Sequence, residues 1–448
     1  MHSIINYIYN LNFYISKKIN NLLIRFFIKN QMLNLLCILM IFNLKKIKEL
    51  VPRKKIRNKV IVLSKSAGID DLICSQKKYN KNTLYLNCSR TFFVQIYMAI
   101  FNINNEKDAK IYALNEPENL KKKYVNFLVI FLNKLKKNYK FDAFIGFNFY
   151  ISEIGLHTAC RQSKIPFIML YKEGVGTELE NKYFAHILEK KKNKFHGSKI
   201  AVYSNIIKKI LIKSKVVNKD KIDVVGCSRL SKSFIYKNIT PQNQILYYAI
   251  QNDRGLPSRF LKKYGSKNFE DLKIAKNYNP KFNWENLHLK TLKILKKFAS
   301  ENPKINIIIK IKTGMQQNKF YYKNMPTNIK LHSFGTGHQL LEESKIVIGW
   351  NTTAVIEGIA ANRFILLPYF QLNNNNLKKN SELVLKLKNE NYGFSENDFY
   401  KKLSYFIKKK YNKKKINNNH FSLKYYLGNA DNRANLRLHK FLQKNIRV

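Results

Sequence analysis

Asn351, Thr352 and Thr353 stand between the apolar β-branched run Ile346-Val347-Ile348, closed by Gly349, and a stretch of helical spacing that carries Glu357. Small polar groups placed where a helix begins can join the free backbone amides and the positive end of the helix dipole. Together they converge on one spot outside the carboxyl end of a strand, which suits a phosphate. Glu357 lies four residues beyond Thr353, about one helical turn along, so its carboxylate can face the same crevice and accept hydrogen bonds from a sugar's hydroxyls. The plainer alternative is that Asn-Thr-Thr is ordinary N-cap chemistry and Glu357 a solvated helix carboxylate.

The stretch Lys345–Phe370 resembles the donor-nucleotide motif of GT-B glycosyltransferases, especially those that build capsule, lipopolysaccharide and other surface carbohydrates. There a Gly-x-Asn-Ser/Thr-Thr/Ser run precedes a helix with a Glu. Similar segments occur in nucleotide-sugar 2-epimerases and in glycerophosphate transferases of the teichoic-acid type. The resemblance implies that Thr352 and Thr353, with Asn351 beside them, hold the donor phosphates and that Glu357 binds the ribose.

Other residues extend this expectation. Lys310 and Lys312 alternate along the end of a strand and so share a side, where they are either phosphate ligands or a merely solvated pair. Related transferases place a Lys-x-His-Pro run at the matching strand end to neutralise phosphate, and here Thr313-Gly314 replaces His-Pro. Thr336, between Gly335 and Gly337, and His338 sit in the loop that enters the helix before the donor segment, a region that in similar proteins lines the nucleotide. Glycosyl transfer with inversion needs a base near the acceptor hydroxyl. Glu173, in Tyr171-Lys172-Glu173-Gly174, is the candidate catalytic residue or else a carboxylate paired with one of the many lysines, with His157 a second candidate or a structural residue. Val224-Val225-Gly226-Cys227-Ser228-Arg229-Leu230 resembles the Val-x-Gly-x-x-Arg-Leu/Met-Asp run at the domain junction of capsule and glycerophosphate transferases, with Ser231 in place of the Asp. Arg229 is therefore a candidate forked donor for a phosphate or acceptor anion, and Arg254, after the first strand of the second half, is a second candidate phosphate ligand.

The elements that must position these groups follow one rhythm. After Pro52, short β-branched runs alternate with longer helical patterns, the signature of βαβ units and a parallel sheet. Strands are predicted at 59–63, 83–86, 110–114, 141–147, 165–170, 199–203 and 221–225, then at 244–250, 305–312 and 329–334. Helices are predicted at 120–137, 153–163, 284–299 and 337–344. This gives an α/β protein with two Rossmann-like domains, GT-B-like, facing a central cleft. The expected division is 1–50 as N-terminal helices, 51–236 as the acceptor domain, 237–425 as the donor-nucleotide domain and 426–448 as a basic C-terminal helix or tail that packs back across the domains. No Walker A sequence occurs, no GxGxxG follows a first strand, and no Asp-x-Asp pair is present. These absences speak against simple NTPases, dinucleotide oxidoreductases and the metal-dependent GT-A class.

Composition sets further bounds. With 448 residues, 45% of them apolar, the chain can build two ordinary cores. Its formal charge of +54 suggests a polyanionic partner. However, Lys, Asn and Ile are all abundant, as AT-biased coding would make them, and the lysines are dispersed as solvated pairs and triples. No specific nucleic-acid partner is expected. The five cysteines lack CxxC spacing, so neither disulfides nor structural zinc is expected. The segment 4–44 is apolar with basic interruptions, and its longest apolar run, Met32–Leu44, is thirteen residues against the roughly twenty that span a bilayer. It reads either as amphipathic helices on an anionic membrane face or as a helical hairpin packed on the first domain.

The combined expectation is a metal-independent glycosyltransferase without cofactor, peripheral on the cytoplasmic face of the membrane, that moves a sugar from a nucleotide-sugar donor to a polysaccharide or lipid-linked acceptor. The alternatives are a nucleotide-sugar 2-epimerase or polyol-phosphate transferase on the same fold, and a non-catalytic basic protein that binds membrane or nucleic acid.

Overall fold

The computed structural model describes residues 19–64, 66–105, 118–148, 153, 155–172, 176, 181–182, 184–185, 188–189, 194–250, 284–311, 321–333, 337–350, 352–370, 387–412 and 420–446. Its first half comprises helix α1 (19–29), α2 (Leu33–Asn43), the short strand β1 (Lys45–Lys46), β2 (Asn58–Leu63), α3 (Ser66–Gln76), β3 (Thr83–Cys88), α4 (Arg90–Ile100) and α5 (Glu118–Asn138). Then come β4 (Ala143–Gly146), α6 (Leu156–Gln162), β5 (Phe167–Tyr171), β6 (Lys199–Val202), α7 (Asn205–Lys213) and β7 (Ile222–Val224). The strands form one sheet in the order β1-β3-β2-β4-β5-β6-β7, parallel except for β1, which runs antiparallel to β3. Successive residues of β2 point to opposite faces, and both faces are covered. Ile61 and Leu63 join the core beneath α2, α4, α5 and α6, while Val60 and Val62 join Leu72 of α3 on the other side. Burial on two sides explains why the strand is a continuous apolar run rather than an alternating one.

A short helix α8 (Ser231–Ile235) leads into the second half. This half contains β8 (Gln244–Tyr248), α9 (Trp284–Glu301), β9 (Asn306–Lys310), β10 (Ile329–His332), α10 (Leu340–Glu343), β11 (Ser344–Ile348), α11 (Thr353–Ala360), β12 (Phe364–Pro368) and β13 (Tyr392–Gly393). Three helices follow: α12 (Glu396–Lys408), α13 (His420–Leu427) and α14 (Ala434–Ile446). The sheet is parallel in the order β10-β9-β8-β11-β12-β13, the Rossmann order 3-2-1-4-5-6. Its direction of winding reverses between β8 and β11. An open sheet of this kind leaves a crevice there, outside the carboxyl ends of the strands.

The expected strands and helices that fall on described residues occur with ends shifted inward or outward by at most three residues. The helix expected from Glu153 starts at Leu156, because Gly155 before it has a φ of +76°. The helix expected over 337–344 is confined to Leu340–Glu343. The strand expected over 110–114 lies outside the described residues.

The connecting segment is pinned to the second half, and the C-terminal helices return to the first. Arg363, fully buried before β12, hydrogen-bonds the carbonyls of Tyr236, Ile239, Leu341 and Glu342 and the hydroxyl of Tyr411, which pins the connecting segment onto the second sheet. After α13 the chain returns to the first half. The Leu427 carbonyl accepts from the Cys227 amide at 2.7 Å, and Arg437 of α14 donates to the Val225 carbonyl at 3.0 Å. Gly428 makes this crossing possible. A Cβ there would lie 1.9 Å from the Tyr203 carbonyl oxygen, and its φ is +59°. The seat of α14 is the α3 face of the first sheet, where Leu438, Phe441 and Leu442 meet Val60, Ile145 and Leu72.

Two buried histidines make stability depend on pH. The Nδ1 atom of His157, in α6, lies 3.3 Å from the His196 amide. Burial, with His196 adding to it, lowers its pKa to about 3. In α9, His288 Nδ1 is 2.6 Å from the Tyr247 hydroxyl, and burial lowers its pKa to about 4. His157 is thus a neutral core residue between Phe167 and Phe195. Both imidazoles ionise more readily in the unfolded chain, so the stability they hold is complete above pH 6.5 and falls with acid. Each should remove about 1.4 kcal/mol per pH unit below that point, down to the folded values. Urea unfolding at pH 7.5, 6.0 and 5.0 should show this decline, with a shallower slope for His288→Phe. Equal slopes for the two proteins would contradict the assignment.

Candidate functional site

The reversal point of the second sheet is where β8 and β11 end side by side, with Ile348 paired in register to Tyr247. Gly349 turns the chain out of β11. A Cβ on it would come within 2.7 Å of Val355 Cγ2, so only glycine lets the turn close tightly against α11. Thr352 has extended backbone angles and caps the helix, its hydroxyl accepting from the Ala354 amide at 3.4 Å. This is the N-cap geometry of the plainer reading. It also sets the positive end of α11 just beyond the end of β11. Glu357, one turn along, is turned inward with 9% of its surface exposed. The solvated-carboxylate alternative therefore does not describe it.

Across from Glu357 stands the first half. The 3-10 turn Ser228–Leu230 carries Arg229, whose Nε lies 3.8 Å from Glu357 Oε1. Arg229 is itself held by Asp71 of α3. That carboxylate accepts from the Arg229 amide at 2.7 Å and from its Nη1 at 2.9 Å, and it also accepts from the Tyr203 hydroxyl and, weakly, from the Cys227 thiol at 3.7 Å. Burial keeps the Tyr203 phenol well above its ordinary pKa, so it serves as a neutral donor. On the other side, His338 Nδ1 is 3.8 Å from Glu357 Oε2 and 3.1 Å from the Ser233 hydroxyl of α8. A buried line of polar groups thus runs from α3 through the Arg229 turn to α11. The two groups facing Glu357 stand beyond hydrogen-bonding distance, so its oxygens keep capacity to accept from a ligand.

Tyr248 closes the floor. It is paired in register with Lys310, and its hydroxyl donates to the Gly337 carbonyl at 3.4 Å. Burial, reinforced by Glu357, raises its pKa well above the ordinary phenol value. Lys310 sits at the end of β9, its ammonium donating to the Ile311 carbonyl at 3.1 Å, and burial lowers its pKa.

Of the residues singled out from sequence, Glu357, His338 and Arg229 are brought together, Thr352 and Thr353 open the same helix, and Lys310 lies at a neighbouring strand end. Glu173, Asn351, Lys312, Thr336 and Arg254 lie outside the described residues. Sequence reasoning missed Asp71, Tyr203, Ser233 and Tyr248. Asp71 carried a faint signal: it is one of two adjacent acids, Asp70 and Asp71, in a chain with 28 acidic against 82 basic residues.

Two Rossmann-like sheets, parallel but for β1, joined through one connecting segment and crossed back by the C-terminal helix, make this a two-domain α/β protein of GT-B-like build. No protein-family model matches the sequence, and no curated protein matches it. Solved structures do. A UDP-GlcNAc 2-epimerase from Neisseria meningitidis bound to UDP-GlcNAc is 12% identical, with 86% of this chain and 100% of that one covered and a TM-score of 0.45. A putative UDP-N-acetylglucosamine 2-epimerase from Listeria monocytogenes is 11% identical over 88% and 97% of the two chains, with a TM-score of 0.48. A trehalose-6-phosphate synthase is 11% identical over 87% and 99%, with a TM-score of 0.43.

Proposed function

We propose that the protein is a glycosyltransferase that takes a nucleotide-activated sugar and transfers the sugar to a surface-polysaccharide or glycolipid acceptor at the inner face of the membrane. The observation that carries this reading is the inward-turned Glu357, placed one turn behind the N-terminus of α11 at the reversal point of the second sheet. A nucleotide seated there has its ribose hydroxyls at Glu357 and its phosphates at the helix start, with Thr352, Thr353, Asn351 and Lys310 around them. Lys312, Thr336 and His338 complete the donor side, and Arg229 and Arg254 add cationic character across the cleft. Helix-end amides and cations that stabilise the departing nucleotide phosphate supply the main catalytic term, independent of metal. Glu173 is the proposed base that takes the proton of the acceptor hydroxyl.

A thermal-unfolding screen against UDP-, CMP-, GDP- and dTDP-linked sugars tests the donor half, because a ligand that binds the folded state raises its stability by mass action. One nucleotide series should raise the midpoint at millimolar concentration, and none doing so would remove the donor site. Incubation with the donor that binds, without acceptor, tests the reaction class. The donor should stay unchanged, whereas conversion to its 2-epimer would make the protein an epimerase instead.

A further inference from the structure

We propose that α1 and α2 form a docking face that seats the protein on an anionic lipid leaflet, with both helices lying in the plane of the head groups. The sequence of α2, LNLLCILMIFN, is apolar all round, yet only one side is covered. Leu36, Cys37 and Met40 are fully buried in the first core, where Cys37 approaches the Phe131 carbonyl of α5. Its opposite side presents Leu35, Ile38 and Phe42 at i, i+3 and i+7, and Phe42 is 82% exposed. The neighbouring α1 repeats the pattern. Ile24 is buried, while Ile19, Leu22 and Phe26 form an outward stripe at the same spacing, with Leu22 61% and Phe26 54% exposed. A helix apolar on all sides belongs in an apolar environment on all sides, and among the described residues nothing covers the outward stripes.

Charge identifies the occupant. The chain that leaves α2 carries exposed Lys45, Lys46 and Lys48 and then Arg53, Lys54 and Lys55, with Glu49 the sole acid among them. Large apolar side chains flanked by lysines match a lipid surface with negative head groups. A second copy of this chain would bring like charges together at the same rim. The inner faces of both helices are held by the first core, so the stripes can enter only to side-chain depth. Among the described residues no helix is long and apolar enough to cross a membrane. The protein would thus rest on the leaflet as a rigid body, with β1 and its pairing to β3 tying the docking helices directly to the first sheet.

This inference rests on the proposed function only for the lipid-side location of the acceptor, and it is tested separately. The full chain is floated with vesicles of phosphatidylcholine alone or with 30% phosphatidylglycerol. It should rise with the anionic vesicles and lose most of that binding at high salt. Leu22→Asp/Phe42→Asp should lower the bound fraction at least tenfold with an unchanged urea midpoint, since both residues are exposed. Lys45→Gln/Lys46→Gln/Lys48→Gln should remove the preference for anionic lipid. Wild-type binding by the Asp variant overturns the docking face, as does a dimer in light scattering that this variant dissociates, which would make a second copy the occupant. Nucleotide-dependent thermal shifts should be the same in the Asp variant. If vesicles bind but no nucleotide does, the proposed function fails while the docking face stands.

Discussion

Replacing Arg229 by Met should lower the unfolding free energy by about 3–5 kcal/mol, the range found when one partner of a buried ion pair is removed. The guanidinium has 9% of its side chain exposed and Asp71 has 4%, so neither has water to fall back on. Loss of Arg229 strands two acids, Asp71 and Glu357, on opposite sides of the junction. Loss of the Asp71 charge in Asp71→Asn strands only the guanidinium, which retains Glu357 at 3.8 Å. Arg229→Met should therefore be the more damaging of the two. Asp71→Leu combined with Arg229→Met should cost less than the sum of the single changes, because no charge of the pair is then left buried without its partner. Urea unfolding of wild type, Asp71→Leu, Arg229→Met and the double variant gives the cycle. Strict additivity would mean that the two side chains act independently, and the polar line through the junction would then have no energetic content.

What the sequence disclosed and what it hid divide along sequence separation. The strands were legible because each is a brief apolar run flanked by turns, and burial on both faces demands that pattern. Gly349, Thr352 and Glu357 were legible for a related reason: they lie within nine residues, so a single turn and helix place them without help from the rest of the fold. Arg229 was found through its Val-x-Gly-x-x-Arg context, but its fork was assigned to a ligand, and the structure shows it engaged by Asp71, which is 158 residues away. No local pattern announces a partner at that distance. The seat of α14 was hidden for the same reason, since an amphipathic helix shows that it has an inner face and not which sheet receives it. In α2 even the inner face was unreadable, because residues on every side are apolar. Only packing against the first core separates Leu36, Cys37 and Met40 from Leu35, Ile38 and Phe42.

Glu357→Gln should weaken nucleotide binding by roughly 10- to 100-fold while leaving the fold in place. A hydrogen bond to a charged acceptor contributes about 1.5–3 kcal/mol, and every 1.4 kcal/mol is a factor of ten in affinity. Gln keeps the shape and one acceptor oxygen, so the packing of α11 against Val347 and Ile365 should survive. Its contacts to Arg229 and His338 are both 3.8 Å, long enough that their loss should change stability much less than loss of the Asp71 contact at 2.9 Å. The two substitutions are therefore expected to separate two quantities. Glu357→Gln should abolish most of the nucleotide-dependent rise in unfolding temperature with little change in the unliganded midpoint. Asp71→Asn should lower the unliganded midpoint yet retain a rise on adding nucleotide, because Asp71 touches Arg229 and not the donor helix. Titration calorimetry with the nucleotide that wild-type binds, together with unfolding of the unliganded variants, measures both. A Gln variant that binds as tightly as wild type would reduce Glu357 to a structural acid balancing Arg229, and the donor site would have to be sought elsewhere along the carboxyl ends of the second sheet.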